Sequence, residues 1–268
     1  MRAALTIAGS DSIAGAGAQA DLKTFAAHGV YAATALTAVT AQNTSGISSV
    51  FALPPELVRS QIDQILNDVE VSAVKIGMLA TREIVSAVAD SLEHLERTTI
   101  VVDPVLASAG GRTLLAPDAV SMLKERLLPL ATVVTPNRAE AAALSGVKVA
   151  SLENARTAAA RIAELGPRAV VVKGGHFEGA HAIDVLFYEG RFVELDAPRA
   201  AVGPVHGTGC TFASAVAACL ALGEDIPTAV RRAKQYVTGA IEHSFQIGHG
   251  ARILDHFWEQ RRRAASPL

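Results

Sequence analysis

Short β-branched runs alternate along the chain with longer segments of helical spacing, and this alternation restricts the possible folds more than any other feature. Runs at 4–7, 34–39, 73–76, 99–102, 132–135, 169–172 and 182–187 read as strands. Segments at 18–28, 55–68, 82–95, 117–128, 138–144 and 152–165 read as helices. Neighbouring parallel strands need a crossover, usually a helix, so the pattern predicts a mostly parallel sheet covered on both faces. Glu189-Gly190 between two apolar runs predicts a hairpin, and with it an antiparallel pair at one sheet edge. Thr81 and Ser151 suit helix N-caps, and Gly29 and Gly223 suit helix C-termini. No repeat, linker or low-complexity tract interrupts the 268 residues, half of them hydrophobic, so one three-layer α/β/α domain over 1–268 is expected.

Charge narrows the function classes. The net charge is −2, with Lys and Arg dispersed apart from Arg261-Arg262-Arg263, which reads as a solvated helix end. Neither nucleic acid nor an anionic membrane is expected as a partner. Cys210 and Cys219 stand nine positions apart in one predicted helix, on different turns, so no disulfide is expected and a reducing compartment is. The apolar run at 3–8 is short and is followed by Ser10 and Asp11, unlike a secretory leader. The apolar stretch after Cys210 is interrupted by Ser214 and too short to span a bilayer. A cytoplasmic location is expected.

In an open α/β sheet, ligands collect outside the carboxyl ends of the strands. Here those ends are polar and glycine-rich: Gly9-Ser10-Asp11-Ser12, Thr40-Ala41-Gln42-Asn43-Thr44, Lys75-Ile76-Gly77-Met78, Asp103-Pro104, Pro136-Asn137-Arg138-Ala139-Glu140 and Lys173-Gly174-Gly175-His176. The run His206-Gly207-Thr208-Gly209-Cys210-Thr211 opens a further helix. Its glycines let successive N–H groups turn inward, and the helix adds the positive end of its dipole, which makes a cradle for an anion. Cys210 in that first turn is expected to have a lowered thiol pKa.

A competing motif, Gly15-Ala16-Gly17-Ala18-Gln19-Ala20, fits the dinucleotide fingerprint. Two features speak against it. The loop after the first strand is longer than that motif allows, and the second strand ends without the acid that holds a ribose hydroxyl. No Walker-type phosphate loop occurs. The Gly-Thr-Gly-Cys turn, Lys173, Asn137 and Glu140 instead suit ATP with magnesium, because phosphoryl transfer needs positioning and charge neutralisation more than covalent chemistry.

Taken in order, Ala16 to Thr24, Thr37 to Thr44, Lys75 to Leu79, Val102-Asp103-Pro104-Val105, Thr135-Pro136-Asn137, Lys173 to His176 and His206 to Thr211 resemble the hydroxymethylpyrimidine/phosphomethylpyrimidine kinases of thiamine biosynthesis, in the ribokinase-like superfamily. The resemblance implies a ribokinase-like fold and MgATP-dependent phosphorylation of an aminopyrimidine alcohol, 4-amino-5-hydroxymethyl-2-methylpyrimidine, then of its monophosphate. It implies Cys210 as the base and Gly207, Thr208 and Gly209 as the turn that stabilises the transferring group. It also implies Gly9, Asp21, Gln42 and Met78 around the substrate, with Gln42 pairing the ring nitrogen and amino group. Asn137, Lys173 and Thr211 are implied at ATP, Asp103 and Glu140 at Mg2+ through water, and relatives are often homodimers. Taken alone, Asp21 equally suits a first-turn helix acid, Gln42 a loop residue satisfied by backbone, Met78 the core, and Asp103 a turn. His206 is expected to shape the loop and not to transfer protons.

The chain departs from the family pattern at Ser12-Ile13-Ala14-Gly15, at Ala107-Ser108-Ala109-Gly110-Gly111-Arg112 and at Gly203-Pro204-Val205, places that could meet a second phosphate. The second phosphorylation is therefore less expected than the first. A pyridoxal kinase of the same superfamily is the nearest alternative, and Gln42 argues against it. A non-catalytic pyrimidine-binding protein is the alternative from another class, and the intact Cys210, Gly207, Gly209, Asp103 and Lys173 argue against that.

Overall fold

The computed structural model describes residues 1–95, 98–108, 110–175 and 179–265; Ala109 and His176, from two strings singled out above, lie outside the described residues. The main sheet contains β1 (Ala3–Ser10), β2 (Tyr31–Asn43), β3 (Gly46–Ala52), β4 (Val71–Ile76), β5 (Thr99–Val102), β6 (Val133–Val134), β7 (Ala169–Val172), β8 (His181–Tyr188) and β9 (Arg191–Pro198). Their order is β3-β2-β1-β4-β5-β6-β7-β8-β9. From β2 to β7 the neighbours are parallel, so these strands end on one rim. Both edges are antiparallel, not one. The expected hairpin joins β8 to β9, with φ of 48° at Glu189 and 72° at Gly190. The other edge arises because β2 runs on to Asn43 and folds back as β3. Gln42 therefore stands on a strand, where the sequence suggested a loop.

Alternation along the strands sorts two cores. Leu5, Ile7, Val74, Ile76, Ile100, Val102, Val134, Val170 and Val172 face one side with α2 (Pro55–Asp68), α3 (Arg82–Leu92), α4 (Pro117–Met122), α5 (Arg138–Ser145) and α6 (Leu152–Ala163). Ala4, Ala73, Val101, Val133, Ala169 and Val171 face the other. There they meet α1 (Gly17–Ala27), α7 (Thr208–Ala221) and α8 (Ile226–Glu242), edged by Trp258 of α9 (Trp258–Ala265). The second side is alanine-rich on both partners, which lets α7 lie close on the sheet; every residue of α7 from Thr211 to Ala221 is buried.

Thr81 and Ser151 cap α3 and α6 as expected, accepting from the N–H groups of Ile84 and Asn154. The segment expected as one helix over 117–128 is not uniform. After Met122 it widens into a π turn, in which Leu128 N–H reaches Leu123 O, and then tightens into a 3-10 turn at Leu128–Leu130. Pro129, which has no N–H, ends the ladder. Helix α8 follows α7 with no strand between, so alternation gave no cue to it. Its buried Ile226, Ala229, Val230, Ala233, Val237 and Ala240 nonetheless recur at helical spacing. Among the described residues no helix is long and apolar enough to cross a membrane.

One buried ion pair ties α8 to the sheet beside the rim. Lys234 Nζ lies 2.9 Å from Asp184 Oδ2, and Asp184 Oδ1 accepts the Gly174 N–H at 2.7 Å. The pair thereby holds the backbone just after Lys173. Asp184→Ala leaves a buried ammonium and an N–H without their acceptor and is expected to destabilise the chain by about 3–5 kcal/mol, measured by denaturant unfolding.

Candidate active site

The loop from Asp11 to Ala16 joins β1 to α1 and is organised by one carboxylate. Asp11 Oδ2 accepts the N–H groups of Gly15 (3.0 Å) and Ala16 (2.8 Å), and Oδ1 accepts that of Ile13 (3.1 Å). Burial alone would push Asp11 up, but His206 and the N–H groups of Ala16 and Ile13 outweigh it and hold the carboxyl below its usual range. The loop carries a strained residue: Ala14 has φ 59°, and Lys23 Nζ donates to its carbonyl at 2.5 Å.

The second loop to reach this rim precedes α7. Val205–His206 (β10) pairs with Arg252–Ile253 (β11), which brings the C-terminal segment beside it. Gly207, with φ 84°, is the N-cap of α7, and a Cβ there would sit 1.8 Å from Gly15 O, so only glycine allows the two loops to touch. No side chain caps the helix, and its first N–H groups remain for a ligand, as the anion cradle requires. At Gly209 a Cβ would lie 3.2 Å from Lys173 Nζ and 3.6 Å from Asp103 Oδ2. The absent side chain lets both charges pack on the first turn of α7.

Asp103 and Lys173 form a pair at 2.8 Å, and Thr135 Oγ1 donates to the same carboxylate at 3.2 Å. Asn137 lies alongside Lys173 in a parallel bridge and caps α5 reciprocally with Glu140. The carboxamide oxygen of Asn137 is used in that cap, accepting from Glu140 N–H at 3.0 Å. Burial pushes the Glu140 carboxyl up to about 7; Lys173 pulls it down and the Asp103 charge pushes it further up. Asp103 and Glu140 are carboxylates, and among the described residues no group of three potential ligands could hold a metal by itself.

Cys210 lies on the first turn of α7 as expected, but its thiol does not have the expected acidity. Burial pushes it up to about 11; the Lys75 ammonium and the Gly17 N–H pull it down, and Asp21 and Asp103 push it up. The helix dipole is a small effect beside desolvation. Cys219 lies fully buried in the apolar core, and neither cysteine is in a disulfide.

Asp21 is also not where the resemblance puts it. It is fully buried and accepts from Thr6 (2.6 Å), Ser214 (2.6 Å) and the Lys75 ammonium (2.8 and 3.0 Å). With both oxygens engaged beneath the rim, it has no face for substrate. Thr211 is corrected for the same reason: it is fully buried, its hydroxyl lies 3.1 Å from His256 Nε2, and its N–H donates to Gly207 O within the helix. It presents no group to ATP.

Gly9 and Met78 do meet, since a Cβ on Gly9 would lie 3.2 Å from Met78 Sδ. Ser12 Oγ both donates to Gln42 O and accepts from Gln42 N–H, each at 2.8 Å, which clamps the end of β2 to the loop. Gln42 Nε2 lies 2.8 Å from His206 Nε2, and that nitrogen lies 2.9 Å from Asp11 Oδ2. His206 shapes the loop, as expected. Arg112 donates to the carbonyls of Ile47 and Ser48 in β3.

Lys75 and Asp11 escaped sequence reasoning as site residues, although both stood in quoted strings. A lysine inside the mostly apolar strand VSAVKI was the available signal for Lys75. Asp11 offered only its place at a strand end. Replacing Ala14 by glycine relieves the left-handed backbone and is expected to stabilise the chain by about 0.5–1 kcal/mol, read from the shift in a denaturant midpoint.

The comparisons with known proteins point to one family. Residues 11–255 match the family described as phosphomethylpyrimidine kinase. A hydroxymethylpyrimidine/phosphomethylpyrimidine kinase of Streptomyces coelicolor is 49% identical over 95% of this chain and 94% of its own. The thiamine biosynthesis bifunctional protein ThiED of Geobacter sulfurreducens is 46% identical over 94% of this chain, which spans 51% of that longer protein. The ADP complex of Bacillus subtilis pyridoxal kinase superposes with a TM-score of 0.90 at 36% identity, covering 97% of this chain and 99% of that one. Fold, rim and sequence together assign the chain to the phosphomethylpyrimidine kinase family of ribokinase-like α/β/α proteins.

Proposed function

We propose that the chain, as one unit over residues 1–268, transfers a phosphoryl group from ATP to the hydroxymethyl oxygen of 4-amino-5-hydroxymethyl-2-methylpyrimidine, and then phosphorylates the monophosphate, in thiamine diphosphate biosynthesis. The observation that carries this reading is the uncapped start of α7, with Cys210 in its first turn and the Asp103–Lys173 pair packed on Gly209. Free N–H groups, a fixed ammonium and a basic sulfur are what an attacking alcohol and a transferring phosphoryl group require.

In this reading Cys210 Sγ takes the hydroxyl proton, and the N–H groups of Gly207, Thr208, Gly209 and Cys210 offset the charge on the transferring group. Lys173 Nζ and the amide nitrogen of Asn137 hold ATP phosphates. Asp103 and Glu140 fit a magnesium ion bound through water: they are close enough for one charge to raise the other's pKa, a repulsion that a divalent cation removes. The ion supplies neutralisation of phosphate charge. Gln42 reads the ring nitrogen and the amino group, while Met78 and Gly9 form the wall beside the ring. Asp21 supports this set from below through Lys75. The reading carries a cytoplasmic enzyme and a homodimer.

A pyridoxal kinase is the second reading, favoured by the 0.90 TM-score to the pyridoxal kinase of B. subtilis. Product analysis by mass spectrometry with MgATP and each of the pyrimidine, its monophosphate and pyridoxal separates the readings. Pyrimidine monophosphate supports the first, conversion of the monophosphate to the diphosphate extends it, and phosphorylated pyridoxal alone replaces it.

Cys210→Ala is expected to keep pyrimidine binding and lose about 10²–10⁴-fold in kcat; a near-normal rate removes Cys210 as base. Because a thiol raised to about 11 gains its basic form as pH rises, kcat/KM is expected to increase between about pH 7 and 9. Cys210→Asp, whose carboxyl has a lower ordinary pKa than a thiol, is expected to move that rise to lower pH. Gln42→Leu is expected to weaken pyrimidine binding about tenfold, since a ring polar group loses its partner, and calorimetry measures it.

A further inference from the structure

Asp11, His206 and Gln42 come from three distant parts of the sequence and meet at one ring nitrogen. His206 Nε2 is 2.9 Å from Asp11 Oδ2 and 2.8 Å from the end of the Gln42 carboxamide. A neutral imidazole nitrogen has either one proton or one lone pair, so it can donate or accept, but not both. Asp11 decides between them. Its carboxylate already accepts the N–H groups of Ile13, Gly15 and Ala16 and is buried with 3% exposure. Such an acceptor demands a donor from His206, since a bare nitrogen facing it would set two lone pairs against each other.

With its proton on Nε2, His206 faces a second donor at 2.8 Å, because a carboxamide nitrogen cannot accept. A second conflict lies at the other end of the same amide. Thr40 Oγ1 has one proton, yet it lies 2.9 Å from Ser10 O and 3.3 Å from Gln42 Oε1, both of them acceptors. Rotating the carboxamide by half a turn replaces the donor-on-donor contact with an oxygen that shares the His206 proton with Asp11, and its nitrogen then donates to Thr40 while the hydroxyl proton goes to Ser10. Ser12 fixes the backbone of Gln42 on both its N–H and its carbonyl, so the amide end is the freedom that remains to be set.

We infer that Asp11, acting through His206, is a specificity-determining positioning residue that sets which way the Gln42 carboxamide faces. In that orientation one amide N–H is left for an acceptor on the ligand, and the amide oxygen, with a lone pair to spare, can take a neighbouring donor. The pair selects heteroaromatic rings with an unprotonated nitrogen beside an exocyclic amine. A ring with an acceptor in both places meets no complement. This deepens the proposed function and rests on Gln42 contacting the substrate.

The first test needs no substrate. In 15N-labelled full-length protein, two-bond nitrogen–proton spectra report which imidazole nitrogen has the proton, and His206 is assigned as the signal lost in His206→Gln. Protonated Nε2 is expected; a bare Nε2 with the proton on Nδ1 overturns the inference. The second test is Asp11→Asn, whose amide can donate to His206 and release the constraint. It is expected to weaken binding of the hydroxymethylpyrimidine by roughly 5- to 150-fold while kcat at saturation stays within about threefold. Unchanged pyrimidine affinity overturns the inference. Should Asp11→Asn not fold, the wild-type tautomer decides alone. Absence of pyrimidine phosphorylation in wild-type protein sinks the proposed function separately, and the His206 signal still judges the orientation of Gln42.

Discussion

The seating of α7 is the constraint on which the rest of the site depends. The helix is buried from Thr211 onward, and alanines on the strands beneath it keep the separation small. Its first turn therefore has a fixed height above the sheet. Gly207 then lies against the Gly15 carbonyl, and Gly209 lies under Lys173 and Asp103. A side chain at either place would lift the helix start away from the charges it is meant to meet. Packing on one face of the sheet thus determines the electrostatics of the rim.

Two ion pairs lie near this helix start, and they differ in access. Asp21–Lys75 is wholly buried, with Thr6 and Ser214 completing its hydrogen bonds. Asp103–Lys173 is nearer the surface, with the lysine side chain 15% exposed. Buried pairs of this kind are weak contributors to stability, because desolvation offsets most of their attraction. Their value here lies in placing fixed charges close to Cys210, where the Lys75 ammonium pulls the thiol pKa down and the Asp21 and Asp103 charges push it up.

Most of the architecture was legible because strands and helices alternate with clear periods. The central parallel strands, the hairpin at Glu189-Gly190 and the caps at Thr81 and Ser151 follow from local residue chemistry. What escaped was structure outside that alternation. Helix α8 breaks the alternation, and β3 forms from a short segment, Gly46–Ala52, that gains its partner only because β2 overruns the sheet. At the site, Gly207, Gly209, Cys210, Asp103, Lys173, Asn137 and Glu140 converge as the strand-end rule implies. Asp21 and Thr211 sit in quoted strings yet face inward, because the register of a helix decides which of its polar side chains see the rim. The acidity of Cys210 was misjudged from position alone; depth of burial is a tertiary quantity.

The β2–β3 hairpin, which bears Gln42, belongs to no single packing layer. Ser12 from the first loop, Arg112 from the segment after β5, and the backbone of Gly250 and Ala251 near the C-terminus each bind it. The wall beside Gln42 is therefore assembled from remote stretches of sequence, whereas the uncapped start of α7 is one continuous turn. Small changes of length or residue in any of those three loops can reshape the wall while α7 stays in place. Such an arrangement lets substrate range diverge among descendants of one ancestral catalyst without reinventing its phosphoryl chemistry.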